Sequence, residues 1–264
     1  MAKRKTMRTD IAWSTTDSIT VKGLDVCRDI LGKVSLGDMA FLELTDRLPT
    51  PRESIVFNAI AVCLVEHGLT PSALVTRLTI SGAPEAMQAA VGAGLCGLGS
   101  VFVGSMEDAA RLLQQAMPMV DGRPDPQADI AALAGGIVDR QMAAGASVPG
   151  IGHHIHKPVD PRAPALFAIA REHGFDGPYI ALMNAVAAEA GRRLGKNLPC
   201  NATGAIAAVA CELGLPWEIV RGIGVMARAI GLVAHVLEEL RNPLAREMKT
   251  MVEEMATAHF RPAA

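Results

Sequence analysis

The residues best equipped for chemistry lie between Pro149 and Arg162, a run that reads Pro-Gly-Ile-Gly-His-His-Ile-His-Lys-Pro-Val-Asp-Pro-Arg. Gly150 and Gly152 allow the backbone to come close to something bulky. His153, His154 and His156 supply donors and acceptors near neutral pH, and Lys157 and Arg162 add cations suited to phosphate and carboxylate. Together these groups suit an acidic thioester. Two other readings stand beside that one. The imidazoles could ligate a metal, although no Cys, His or carboxylate set accompanies them at the spacing of a closed site, and the stretch could be an exposed basic loop with no ligand. A further histidine, His67, is followed by Gly68 at the end of a helical pattern, where it could cap the helix or face a ligand.

For such groups to meet, distant parts of the chain must fold together, and the composition says by what means. Half of the 264 residues are apolar, yet only nine are aromatic (two Trp, one Tyr and six Phe). The apolar share comes from Ala, Leu, Val, Ile and Met, a helix-former's composition, and the length suits one large domain or two small ones sharing an interface. A formal charge of −2 and the lack of a long basic run give no electrostatic reason to expect nucleic acid. The cysteines, Cys27, Cys63, Cys96, Cys200 and Cys211, are scattered and never in a Cys-x-x-Cys arrangement, which reads as reduced thiols in a cytoplasmic protein. Lys3, Arg4, Lys5 and Arg8 are not followed by an apolar stretch of signal-peptide length, and no run of uncharged apolar residues is long enough to span a bilayer. Neither export nor a membrane span is expected.

Taken in order, the run from Ala12 to Val21 is the only expected strand or hairpin. Leu24 to Thr45 has helical spacing interrupted at Gly37. Thr50, Pro51 and Glu53 then spell a capped helix start, with Ile55, Val56, Ala59, Ile60, Cys63 and Leu64 along one stripe and an end at His67-Gly68. Short helices are expected over Ser72 to Ser81 and from Pro84 through Leu95, followed by the glycine-punctuated apolar loop Gly97 to Gly104. Met106 to Met117 reads as a helix, Pro118 to Pro126 as a polar turn, and Ile130 to Val138 as a helix that stops before Gly150. Ala163 to His173 and Pro178 to Leu194 are amphipathic. Asn197 to Gly204 breaks the pattern ahead of Ala205 to Leu213, apolar enough to require deep burial. The last long helix covers about Trp217 to Glu239 and carries Arg228 among apolar neighbours, and the charged tail past Arg241 wraps or frays.

Several of these places, in chain order, resemble the citrate synthase family. Gly152-His153 through Lys157 to Asp160-Pro-Arg162 is similar to that family's substrate loop, Gly-Phe-Gly-His-Arg-Val-Tyr-Lys followed by Asp-Pro-Arg. Asp46-Arg-Leu-Pro-Thr50 looks like its Leu-Pro-Thr turn, Glu66-His-Gly-Leu-Thr-Pro-Ser72 resembles Asp-His-Gly-Leu-Asn-Pro-Ser, and Met226-Ala-Arg228 with Gly231 and Ala234-His235 resembles Ala-Arg-x-x-Gly-x-x-Ala-His. The resemblance implies an all-α fold: a large helical domain from both ends of the chain (1–105 and 215–264), a smaller helical domain from the middle (106–214), and a short N-terminal strand or hairpin. It also implies a homodimer, with the apolar helices near Ala59 and Leu95 at the interface and Arg246 reaching the partner's site. His67, His153, Arg162 and Arg228 would hold the carboxylates and the oxygen of an oxaloacetate-like acid. Lys157 would meet a phosphate of coenzyme A, with Gly150, Gly152 and His154 beside it, and no metal is implied.

Two positions depart from the synthases. Gly99-Ser-Val-Phe-Val-Gly104 puts Phe102 where they carry a histidine, as the citryl-CoA lyase module of ATP-citrate lyases also does, which points to the lyase branch. Asn201-Ala-Thr-Gly204 puts Thr203 where the family has an Asp that handles the proton on the thioester methyl group. A threonine hydroxyl does not ionise near pH 7, and losing a positioned acid or base costs about 10²–10⁴-fold in rate. His154 or His156, a Cys200 of lowered pKa, or a water held by Thr203 could stand in. The expected activity is therefore citryl-CoA lyase-like cleavage of citryl-CoA, or a related 3-hydroxyacyl-CoA, to acetyl-CoA and oxaloacetate. The rivals are citrate synthase-type condensation and a non-catalytic acyl-CoA or dicarboxylate-binding paralogue.

Overall fold

The computed structural model describes residues 7–153 and 157–260. The chain opens with a three-stranded antiparallel sheet, β1 (Ala12–Ser14), β2 (Ile19–Val21) and β3 (Leu24–Asp25), in which Val21 stands opposite both Ala12 and Leu24. Lys22 and Gly23 both adopt positive φ between β2 and β3, the geometry of a tight two-residue hairpin. Val21 is buried with Ile30 and Leu42, so the sheet is seated on the first helix.

The helical spacing expected from Leu24 onward does not become one helix. Leu24–Asp25 is a strand and Val26–Ile30 a single π turn capped by the Asp25 side chain, and the chain resumes as α1 (Leu36–Thr45) behind the Ser35 cap. Gly37 does not interrupt it. It lies within α1 because the helix runs close against α2 (Pro51–Val65), where a β-carbon would collide with the Asn58 side chain. The α2 start is as its sequence spells it: the Thr50 hydroxyl accepts from Glu53 N while the Glu53 carboxylate accepts from Thr50 N. The buried stripe is rotated from the expected one, with Val56, Phe57 and Ile60 inside and Ile55 half exposed. Phe57 meets Phe41 of α1 edge to face at 5.3 Å.

Next come α3 (Pro71–Gly82) and α4 (Met87–Cys96), the latter starting at Met87 rather than Pro84. Both pack on the long α10 (Trp217–Arg241). At their crossing a β-carbon on Gly94 would sit 2.7 Å from the Ser72 carbonyl and 2.8 Å from Leu232 Cδ1. A backbone oxygen cannot step aside, so Gly94→Ala is expected to lower stability by about 1–3 kcal/mol, read from urea unfolding, despite alanine's better helix propensity.

A second layer contains α5 (Gly104–Ala116), α6 (Ile130–Ala143), α7 (Arg162–Glu172), α8 (Pro178–Leu194) and α9 (Ala202–Glu212). The polar turn after α5 closes as a small hairpin, β4 (Met119–Val120) with β5 (Arg123–Pro124), through Asp121 and Gly122 at positive φ. Helix α9 is the buried axle: every residue from Gly204 to Cys211 is buried, and α5, α7 and α8 surround it. Removing Ile206 and Val209 from water stabilises this arrangement by about 1.5–3 kcal/mol per side chain.

Among the described residues α10 alone is long and apolar enough to cross a membrane by length and composition. Here its inner face, Val220, Ile223, Ala227, Leu232 and Val236, is covered by α2, α3, α4 and α5. Past Arg241 the described chain continues as α11 (Ala245–Ala256), which packs on α3, and Glu239 Oε1 accepts from Leu244 N and Ala245 N, supplying the cap that α11's own residues lack.

Candidate active site

A cavity of about 630 Å³ opens where the two layers meet, and six distant parts of the chain line it. His67 enters from the turn after α2, Phe102 from the loop before α5, and Gly152 and His153 from the glycine-histidine run. Arg162 comes from the start of α7, Thr203 from the start of α9, and Arg228 from α10. Cys63, Leu64, Leu98 and Met106 provide an apolar wall.

Each polar group is placed by local structure. Helix α2 ends because Glu66 turns to extended backbone (φ −141°), and Gly68 follows at φ +72°. Glu66 Oε1 accepts from His67 N at 2.8 Å and from Gly68 N at 2.7 Å. Burial pushes the Glu66 carboxyl up, but the His67 amide, His235 and the Gly68 amide more than offset this and leave it below its ordinary value. His153 stands with its ring centroid 6.2 Å from that of His67 and tilted by 55°, close enough for both imidazoles to address one small group.

The backbone before His153 is stitched to the entry of α9. Gly152 N donates to Pro199 O at 2.8 Å, Asn201 N to Gly150 O at 3.0 Å, and Asn201 Nδ2 to Gly152 O at 2.6 Å. Gly150, at φ +84°, is pressed so closely under α9 that a β-carbon would lie 2.7 Å from Gly204 Cα. It therefore supports the loop from below and does not line the cavity, whereas Gly152 does. Lys157 is exposed and outside the lining, and His154 and His156 lie outside the described residues.

Asp160, the acid of the Asp-Pro-Arg run, has no role that the sequence discloses. It is buried, accepts from Arg162 Nε at 3.0 Å and Nη2 at 2.9 Å, and accepts from Ala202 N at the tip of α9 at 3.0 Å. Burial would raise its pKa, but the Arg162 guanidinium and the Ala202 and Arg162 amides bring it down to about 2. Arg162 thus reaches the cavity on a fixed carboxylate fork. Arg228 is half-buried and donates to Thr70 Oγ1 at 3.4 Å. Burial lowers its pKa, Glu66 pulls it back up, and Arg162 lowers it further, so the two guanidiniums feel each other. Two cations held near one another in a cavity call for an anion between them.

Thr203 lies in the first turn of α9 rather than in the loop before it. The cap residue Asn201 accepts through Oδ1 from Thr203 N, Gly204 N and, at 2.7 Å, Thr203 Oγ1. The hydroxyl proton is thereby committed, leaving the oxygen as an acceptor toward the cavity. Cys200 cannot substitute for a carboxylate: burial pushes its thiol up to about 12, the reverse of the expected lowering. Arg246 is exposed at the start of α11 and does not line the cavity. Among the described residues no three His, Cys, Asp or Glu side chains are grouped to hold a metal.

Residues 20–249 match the family profile described as "Citrate synthase, C-terminal domain". The chain belongs to the citrate synthase family. Among solved structures of this fold, citryl-CoA lyase from Hydrogenobacter thermophilus is 33% identical, covers 89% of this chain and 88% of that one, and superposes with a TM-score of 0.79. ATP citrate lyase from Methanothrix soehngenii, solved with citrate and coenzyme A, shares the fold at 23% identity and a TM-score of 0.72, covering 91% of this chain and 40% of that one. Citrate synthase of Heyndrickxia coagulans is 27% identical over 201 residues, 75% of this chain and 51% of that protein. The chain spans about half the length, or less, of the curated citrate synthase family relatives it matches.

Proposed function

We propose that the protein is a citryl-CoA lyase-like enzyme that cleaves citryl-CoA, or a related 3-hydroxyacyl-CoA, to acetyl-CoA and oxaloacetate. The observation that carries this reading is the convergence of His67, His153, Arg162 and Arg228 on one cavity beside Phe102. Arg162 and Arg228 grip the carboxylates of the oxo-acid half through paired donors. His153 takes the proton of the substrate hydroxyl. As the oxygen becomes a carbonyl, the carbon–carbon bond to the thioester methylene breaks and its electron pair passes to the thioester as an enolate, which His67 stabilises. The proton on His153 returns to the methylene carbon through a water that donates to Thr203 Oγ1, and acetyl-CoA leaves.

In this reading Lys157 meets a phosphate of coenzyme A beside His154. Residues 106–214 close as a smaller domain over a larger one made from 1–105 and 215–264. The working form is a two-fold homodimer in the cytoplasm, with Arg246 directed to the partner's site.

Purified protein given citryl-CoA is expected to release acetyl-CoA and oxaloacetate, followed by coupled reduction of the oxaloacetate with malate dehydrogenase. Inertness toward citryl-CoA and simpler 3-hydroxyacyl-CoA esters, with coenzyme A thioesters still raising the Tm, would favour the binding-protein reading instead. Thr203→Asp separates a rebuilt site from a decayed one. It places a second acceptor against Asn201 Oδ1 in place of the donor now there, and kcat for cleavage is expected to fall by about tenfold or more. A large rise would mean that the missing carboxylate is merely lost.

A further inference from the structure

His235, the last residue of the Ala-Arg-x-x-Gly-x-x-Ala-His run, does not line the cavity, yet it is 8% exposed and points at a group that does bear on the site. Its Nε2 lies 3.1 Å from Glu66 Oε2 and 3.2 Å from Glu66 Oε1. Because the partner is a carboxylate lowered in pKa, Nε2 is the donor. The same Oε1 receives the His67 and Gly68 amides. Arg228, Gly231 and His235 are spaced by three and four residues, so they share one face of α10. Gly231 lets that face touch the end of α2, where a β-carbon would come within 2.8 Å of Glu66 Oε2.

We propose that His235 is a positioning residue: acting through the Glu66 carboxylate, it fixes the backbone of His67 and so aims that imidazole relative to Arg228. The Glu66 side chain is 44% exposed, so water competes for it and its rotamers are open. A buried imidazole behind it removes that freedom. On the far side of the ring, Nδ1 is buried and lies 3.8 Å from Glu238 Oε2, beyond hydrogen-bond distance, while Glu238 is turned to Arg77 at 2.6 Å and Arg77 also holds Glu239, the residue that caps α11. The importance of the clamp for turnover rests on the proposed role of His67, whereas its existence does not.

The test is amide hydrogen exchange in the free protein, by NMR, for wild type, His235→Leu and His235→Gln. In His235→Leu the His67 and Gly68 amides are expected to exchange about tenfold faster or more, with Val209 in α9 unchanged. His235→Gln, whose amide nitrogen reaches the Nε2 position, is expected to restore protection. Unchanged exchange at His67 and Gly68 in His235→Leu, or an equal rise at Val209, would overturn the clamp.

With citryl-CoA, His235→Leu is expected to lose about 10–100-fold in kcat, as misplacement of a reacting group does, with little change in KM. Adding it to His67→Ala is expected to cost nothing further. A wild type that shows the exchange pattern but never cleaves citryl-CoA supports the clamp and sinks the lyase reading. Cleavage with kcat untouched in His235→Leu sinks the clamp's catalytic role and spares the lyase reading.

Discussion

Asp160→Ala is expected to lower folding stability by about 3–5 kcal/mol, the cost of breaking a buried ion pair from one side, and to remove measurable turnover with it. Asp160 joins two of the elements that build the cavity, because its carboxylate holds the Arg162 fork and also takes the Ala202 amide at the start of α9. Alanine leaves a partly buried guanidinium without its partner and a helix N-terminal amide without an acceptor. Chemical denaturation reads the first effect and citryl-CoA cleavage the second. A loss of less than about 1 kcal/mol would be the magnitude of an exposed pair and would deny Asp160 this role. The linkage to pH has a definite sign. The Asp160 pKa falls from 3.8 to about 2 on folding, so its contribution is fully present above about pH 4 and is lost as pH falls through 2. Asp160→Asn should therefore flatten that part of the acid limb relative to wild type.

His153→Ala is expected to cut kcat for cleavage by about 10²–10⁴-fold, the usual contribution of a positioned acid or base. Binding of the oxo acid should survive largely intact, because Arg162 on its fork and Arg228 beside Thr70 are undisturbed. Steady-state kinetics with citryl-CoA and calorimetric titration with oxaloacetate separate the two quantities. Equal losses in kcat and affinity would make His153 a binding group and leave the substrate hydroxyl without its base.

What the sequence disclosed follows the range of the forces involved. The capping box of α2 is local, and Thr50, Pro51 and Glu53 spell it without outside help. The same holds for α8, whose bounds match the pattern from Pro178 to Leu194 because proline opens it and Gly195 closes it at positive φ. Gly37 reads as a break in the sequence because the reason for it, the Asn58 side chain across the α1–α2 contact, lies 21 positions away. Phe57 escaped the expected stripe because its burial depends on Phe41.

The site shows the same division. Residue types alone suggest an anion-binding loop at 149–162 beside the metal-site and bare-loop readings, and it is the family resemblance that favours the first and brings in His67 and Arg228. Asp160 and Glu66 were missed as anchors since their partners, Ala202 and His235, are 42 and 169 residues distant. Their visible trace is an acid one or two positions before a candidate site residue, as in Glu66-His67 and Asp160-Pro-Arg162.

Gly150 and Gly204 touch backbone to backbone, while the neighbouring Thr203 faces the cavity. Positions 203 and 204 consequently tolerate different substitutions. A side chain at 204 would push the histidine-bearing loop off α9, so that position is mutationally closed. The one before it lines the cavity and is tied to the scaffold through Asn201 Oδ1, so a replacement there changes the proton-handling group and strains the α9 cap while leaving the Gly150–Gly204 contact in place.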